Sequence, residues 1–503
     1  MENKEFKIFG GISAIYGLIF VFCLYKSTSG VTNILWMIST VAFMLYIVKK
    51  IGKTWKFINT FISIVLVLLG ISNAVTGDVE IIFFNYVVIM ILVGTNILFL
   101  YDGTVEKAVF KSIGKLLEAA MKIIGNFGKP FSHLLQYIKS SKSNKSEKMK
   151  YVIIGIVCAI PVVIFVIFVL ASADGVFREG FEQIFEIESI VVNFIGIALV
   201  FFIGYMVSYS VVLYLKRDEV TIENNGKKIV ALPIIMIVSM VTVVYVIFSA
   251  VQIIYLFTGK GTLPSGYTYA EYAREGFFQL LFLSIVNVIA VLICMECVEK
   301  SKGLKIVLFP LCLCTVIMAL SSAYRMKMYI NEYGLTAMRI YVLWALFVII
   351  AIIMGMLLKL IFAKINLFQY CVVICSICFL ILSFGHKDYY IAKYNFDKYN
   401  KMAKIERIMD SENEERESED LYEYVDMEYL MKLSTDAAPV MTRYEKEVKG
   451  YMELRGRQWK DFDWCYIEWE DSGETYNHMG IRNFNLSRWY SGKCVNKMRN
   501  SKL

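Results

Sequence analysis

"MENKEFKIFGGISAIYGLIFVFCLY" (Met1–Tyr25) runs from a short charged start into about eighteen apolar residues. As a helix, such a stretch covers roughly 30 Å, the thickness of a bilayer's hydrocarbon core. No small-x-small cleavage pattern follows it, so the stretch reads as a retained first span and not as a removed signal peptide. The same pattern recurs along all but the last part of the 503 residues, which are 57% hydrophobic and only 19% charged. The mean hydropathy of +0.57 lies outside the range of soluble globular chains. The expected fold is therefore an all-α polytopic integral membrane protein, with about eleven transmembrane helices followed by a C-terminal soluble α(+β) tail.

Spans are predicted near 8–25, 31–48, 57–75, 81–101, 151–172, 190–215, 229–257, 276–298, 306–324, 339–361 and 367–385. They divide the chain into four parts: 1–101 with four helices, a basic segment at 102–150, a seven-helix part at 151–385, and the polar segment 386–503. Lysine and arginine set the orientation. With the N-terminus inside, the inner segments hold 25 basic residues and the outer loops seven. The N-terminus is therefore expected in the cytoplasm and the tail outside. The net charge of +8 belongs to this inner collar, because the tail holds 20 basic against 23 acidic residues. Anionic lipid is its natural counterpart, and nucleic acid is not expected as a partner.

Within 102–150, "TVEKAVFKSIGKLLEAAMKIIGNF" is amphipathic: Val109, Ile113, Leu116, Ala120, Ile123 and Phe127 share a face opposite Lys107, Lys111, Lys115 and Lys122. Such a helix can rest in the headgroup layer and meet anionic lipid heads, or simply fix the topology of the connection; the connector is the plainer reading. In the tail, the acidic segment Glu412–Asp420 interrupts helical stretches. "WKDFDWCYIEWEDSG" then alternates aromatic and polar residues as a short strand or hairpin would. If the tail is outside, Cys465 and Cys494 could pair as a disulfide.

Several chemistries lack their residues. The spans hold almost no ionisable groups, against an ion-coupled pump. Their amides, Asn85, Asn96, Asn193, Gln279 and Asn287, suit hydrogen bonds between helices. "CVVICSIC" (371–378) has an iron–sulfur spacing but falls on a predicted span, where a helix cannot wrap a cluster. "CMEC" (294–297) has no matching histidine or second pair. The three histidines, His133, His386 and His478, are scattered, and no Gly-rich phosphate loop is present. No metal and no cofactor is expected.

What remains lies on three outer loops, which carry Asp174; Glu271, Tyr272 and Arg274; and Arg325, Tyr333, Thr336, Arg339 and Tyr341. On a helix, Arg325, Tyr329 and Glu332 share one face. Carboxylates, tyrosines and arginines meeting at one membrane face could bind an anionic headgroup or a lipid-linked substrate. The plainer alternative is an interfacial network of snorkelling arginines and belt tyrosines.

These loops also carry a resemblance. "SADGVF" (172–177), "TYAEYAREGFFQL" (268–280) and "YGLTAMRIYVLW" (333–344) resemble a bacterial membrane family, domain of unknown function 4173, and its relative 4153. "AKYNFDKY" (392–399), "DMEYLMKLSTDAAP" (426–439) and "FNLSRW" (484–489) extend it into the tail, where the acidic insertion departs from the pattern. The resemblance implies a polytopic inner-membrane protein with a C-terminal soluble segment, and no assigned chemistry. Two functions stay open: a non-enzymatic envelope scaffold, sensor or lipid-binding component, or a membrane-embedded enzyme or flippase for a lipid-linked anionic substrate.

Overall fold

The computed structural model describes residues 3–27, 29–101, 108–140, 188–217, 228–254, 276–409, 426–456 and 480–500, with positions 166 and 170. Long apolar runs become long helices because a helix satisfies every backbone group without help from solvent. In chain order these are α1 (Asn3–Leu24), α2 (Thr32–Ile51), α3 (Phe57–Val75) and α4 (Val79–Tyr101). The amphipathic α5 (Val109–Ile124) and the short α6 (Lys129–Ser140) come next. Then follow α7 (Glu188–Leu215), α8 (Ala231–Gln252), α9 (Phe277–Cys297), α10 (Lys302–Tyr333), α11 (Ala337–Ile361) and α12 (Leu367–Ser383). The tail supplies α13 (Lys387–Met409), α14 (Met427–Met431), α15 (Ala438–Arg443), α16 (Glu445–Arg455) and α17 (Leu486–Asn500).

Among the described residues, nine helices are long and apolar enough to cross a membrane. They number ten if α12 and the start of α13, bent by 55° at their junction, count as one span. The chain is thus a polytopic transmembrane protein. Of the eleven expected spans, the one at 151–172 lies outside the described residues apart from positions 166 and 170. The described part of the tail is helical, and the aromatic stretch expected as a strand also lies outside. The only strand-like pairing among the described residues is a single bridge between Ile229 and Val298.

Two groups of helices build the bundle. In one, α1 packs on α2 and α7, and α2–α3–α4 follow in sequence; in the other, α10 packs on α8, α9 and α11. The α3–α12 contact joins them. Their shared core runs from Met37, Ile62, Leu66 and Ile89 to Leu308, Leu311, Ile353, Met356 and Phe379. Amides stitch the apolar interfaces: Asn59 donates to Asn96 at 2.7 Å, Asn85 to Asn73 at 2.7 Å, and Asn287 to Thr315 at 3.2 Å. Tyr25 donates to Asn193 at 3.0 Å.

Short connections make the helices alternate, so the bundle has two distinct ends. The N-terminal end collects the start of α1, the ends of α2, α4, α9 and α11, and α5. The amphipathic α5 buries Val109, Ser112 and Ala119 and leaves Phe110, Ile113, Leu117, Met121 and Ile124 exposed. Its apolar stripe is wider than the ridge that packs, so Ile113 and Ala120 do not join the buried face as the sequence pattern suggests. The opposite end carries the tail, which has its own small core of Ile391, Phe396, Leu430, Met441, Val448 and Val495. We call this the cap end.

Candidate functional site

The cap end is built on the turn Thr76–Gly77–Asp78 between α3 and α4. Asp78 caps α4 by accepting the Glu80 N–H at 2.9 Å and the Ile81 N–H at 3.3 Å. Gly77 is required by proximity: a Cβ there would sit 1.7 Å from the Thr435 hydroxyl oxygen. Asn485, fully buried just before α17, donates to the last carbonyls of α3, Asn73 at 3.1 Å and Thr76 at 2.8 Å. Arg482 donates to the Tyr25 carbonyl at 2.6 Å, and its own carbonyl accepts from Thr32 at 3.1 Å. The segment at 482–487 therefore seals the α1–α2 and α3–α4 hairpins at once.

Where α12 ends, His386 adopts a left-handed backbone (φ 42°) and the chain turns into α13. That bend drives two side chains inward. Lys387, 6% exposed, sits 2.7 Å from Asp78, 3.0 Å from Asp388 and 3.3 Å from Glu80, beside the Tyr341 ring. Asp388 also accepts the Ser434 N–H at 2.8 Å, and Tyr341 donates to Glu80 at 2.7 Å. Next to this group, His386 Nδ1 lies 3.0 Å from an Asp436 oxygen. Asp436 accepts also from Thr76 Oγ1 at 2.7 Å, from the Gly77 N–H at 3.0 Å and from the Ser487 hydroxyl. Four partners fill what a carboxylate can accept.

Electrostatics follow from this packing. The Asp436 bond holds the His386 imidazole above its ordinary range, against burial. Burial works against the Asp436 charge too, but His386, the Ser487 hydroxyl and the Gly77 N–H together outweigh it and keep that carboxyl below its usual value. Asp78 is pushed above the carboxylate range by burial and by the facing Asp388, with Lys387 pulling the other way. A cavity of about 490 Å³ opens beside the dyad, lined by His386, Asp436, Tyr389, Tyr390, Ser487 and Tyr490 among others. Ser487 donates to Asp436 and not to the imidazole, so the three do not form a relay from hydroxyl to base.

The residues expected from the outer loops fall elsewhere, with one exception. Tyr341 reaches the cluster through Glu80. Arg339 donates to the Tyr333 carbonyl at 2.9 Å and to Gly334, and lies 4.5 Å from the Tyr329 ring centre, so it closes the C-terminal end of α10. Tyr333 is exposed with its ring 4.7 Å from that of Tyr329, and Thr336 occupies the N-cap position of α11. Arg325 is buried, its guanidinium against Gly276 at the start of α9. Asp174, Glu271, Tyr272 and Arg274 lie outside the described residues, as does Cys465. Cys494 is buried in the tail core. No group of three or more His, Cys, Asp or Glu side chains is placed to hold a metal ion among the described residues.

Sequence reasoning passed over His386, Lys387, Asp388 and Asp436 because they follow no ligand spacing. One signal pointed there: the tail motifs "DMEYLMKLSTDAAP" and "FNLSRW" contain Asp436, Asn485 and Ser487, the residues that dock the tail. No curated protein and no solved structure matches the chain. A family model does match, over residues 61–444, which takes in the Asp78 turn, the Lys387 bend and Asp436 but stops before α17. The chain belongs to the family described as Domain of unknown function (DUF4153).

Proposed function

We propose that this chain is a non-enzymatic component of the bacterial cell envelope, resident in the inner membrane with its N-terminus in the cytoplasm. Its tail is a latched cap over the outer end of the bundle, and it serves as a scaffold or sensor. One observation carries this reading: the cluster spends its polar groups on itself. Both Asp436 oxygens are filled by contacts between tail and bundle, and Lys387 is ringed by three carboxylates. A lysine so paired stays charged and makes a poor nucleophile. A buried ionic lock of this kind favours one arrangement of its parts over others, which suits a scaffold or a two-state sensor.

A second reading, an enzyme or flippase for a lipid-linked anionic substrate, draws support from the His386–Asp436 dyad beside its cavity. An imidazole oriented by a carboxylate is the usual general base. His386→Gln separates the two. In a deletion strain with an envelope defect, the scaffold reading expects this variant to restore growth as long as limited proteolysis shows the cap docked. Loss of rescue with the cap intact would overturn it in favour of chemistry at His386. Orientation is tested by a single cysteine at Tyr490, an exposed cap residue, in a background with all eleven native cysteines replaced by serine. Labelling of intact cells by an impermeant maleimide is the expected result.

A further inference from the structure

At the N-terminal end, a second cavity of about 480 Å³ lies between the start of α5, the ends of α9 and α11, and the starts of α10 and α12. Lys111, Lys228, Lys300, Lys305 and Lys359 line it, against the single carboxylate of Glu296. That carboxylate is already engaged, accepting the N–H groups of Val109 and Phe110 at the start of α5. The lining is therefore strongly cationic on balance. Its floor is not polar: Leu304, Leu308, Leu360 and Leu367 close it from below.

A second, almost wholly apolar groove of about 360 Å³ adjoins it and shares Lys305 and Leu360. Its other walls are Ile306, Phe309 and Ile361, all exposed on the outside of the bundle. A basic chamber leading into an apolar groove along α10 and α11 matches a molecule with an anionic head and an alkyl chain. A free anion would leave the groove unused, and a nucleic acid would need an extended basic surface. The chamber falls within the size range of small-ligand pockets. Basic recesses between transmembrane helices are also where acidic lipid heads bind.

We propose that this paired cavity is a binding site for an anionic phospholipid, its phosphate among Lys300, Lys305 and the neighbouring lysines and an acyl chain in the groove lined by Ile306 and Phe309. The site goes beyond the cap reading and does not depend on it.

The test uses the full-length protein in neutral detergent, with fluorescent phosphatidylglycerol as the probe and phosphatidylcholine as the comparison. Lys300→Gln/Lys305→Gln is expected to weaken phosphatidylglycerol binding about tenfold. Lys49→Gln/Lys50→Gln, at the same end on α2 but outside the cavity, is expected to leave it unchanged. Both pairs are solvent-facing, and an unaltered melting temperature shows that each variant is folded. Equal binding of phosphatidylcholine, or equal loss from both lysine pairs, would overturn the proposal. So would displacement of the lipid by glycerol phosphate as readily as by unlabelled phosphatidylglycerol, which would assign the chamber to soluble phosphate compounds.

Discussion

The two ends of the bundle treat charge in opposite ways. At the cap end, Lys387, Asp78, Asp388 and Asp436 are each at most 6% exposed, and every one is held by a partner from another part of the chain. At the N-terminal end, Lys228, Lys300 and Lys305 stand exposed around a cavity with an apolar floor. Burying an ion is costly, so a buried cluster persists only where its members satisfy one another, and removing one strands the rest. Exposed lysines carry no such debt and contribute little to folding. One end is held together by its charges; the other presents them.

The comparison breaks most readily at Lys387. Lys387→Ala leaves Asp78 and Asp388 buried without their cation and should cost about 3–5 kcal/mol of cap docking. Rapid proteolysis between α12 and α13 is the readout, and a cap as resistant as the parent's would refute the lock. Gly77→Ala comes next. Its Cβ would collide with Thr435, so the cap must shift, at about 1–3 kcal/mol, visible as faster hydrogen exchange at residues 434–437.

The pH response sharpens the contrast. A raised His386 value means that its contribution is complete below its ordinary value near 6.5 and fades as pH rises through the folded one. The lowered Asp436 value gives a contribution present above its ordinary 3.8 and lost as pH falls through the folded one. Docking should therefore be firmest between about pH 4 and pH 6.5 and loosen as pH rises through the folded His386 value. Proteolysis at rising pH should show the trend, and His386→Gln should flatten its alkaline side. The smallest effect is expected at Arg339. Arg339→Ala removes a helix-end contact and a ring contact at an exposed surface, about 0.5–1 kcal/mol in thermal unfolding. A loss comparable to that of Lys387→Ala would show that Arg339 belongs to the lock.

Arg339 also shows how far sequence reasoning reached. The turn at Gly334 between two apolar helices was legible, since a glycine and a change of composition mark it, and the positive φ found there accords with that reading. The helix before it proved longer than its apolar stretch, running on to Tyr333 and carrying Arg325 into a buried position. Hydropathy marks where a helix is apolar and not where it ends, because the polar turns of α10 pack against α9 and the tail. Likewise the amides at Asn85, Asn96 and Asn287 were readable as helix–helix bonds, since an amide in an apolar span has few other partners.

The sequence by itself determined that the chain is a polytopic helical membrane protein and where nine of its long apolar helices lie, because these depend on length and hydropathy. It also contained the tail stretch "DMEYLMKLSTDAAP", which lies within the family match, though not its purpose. Only the tertiary structure decided that residues 76–80, 386–388, 434–436 and 485–487 meet, across separations of up to 411 positions. Nothing in the spacing of a histidine, a lysine and four carboxylates announces such a meeting. Their pairing depends on where a 55° bend and a close-packed glycine turn bring the chain. Long-range electrostatic contacts leave no periodic trace in sequence, whereas a helix that must fit a bilayer leaves one in every turn.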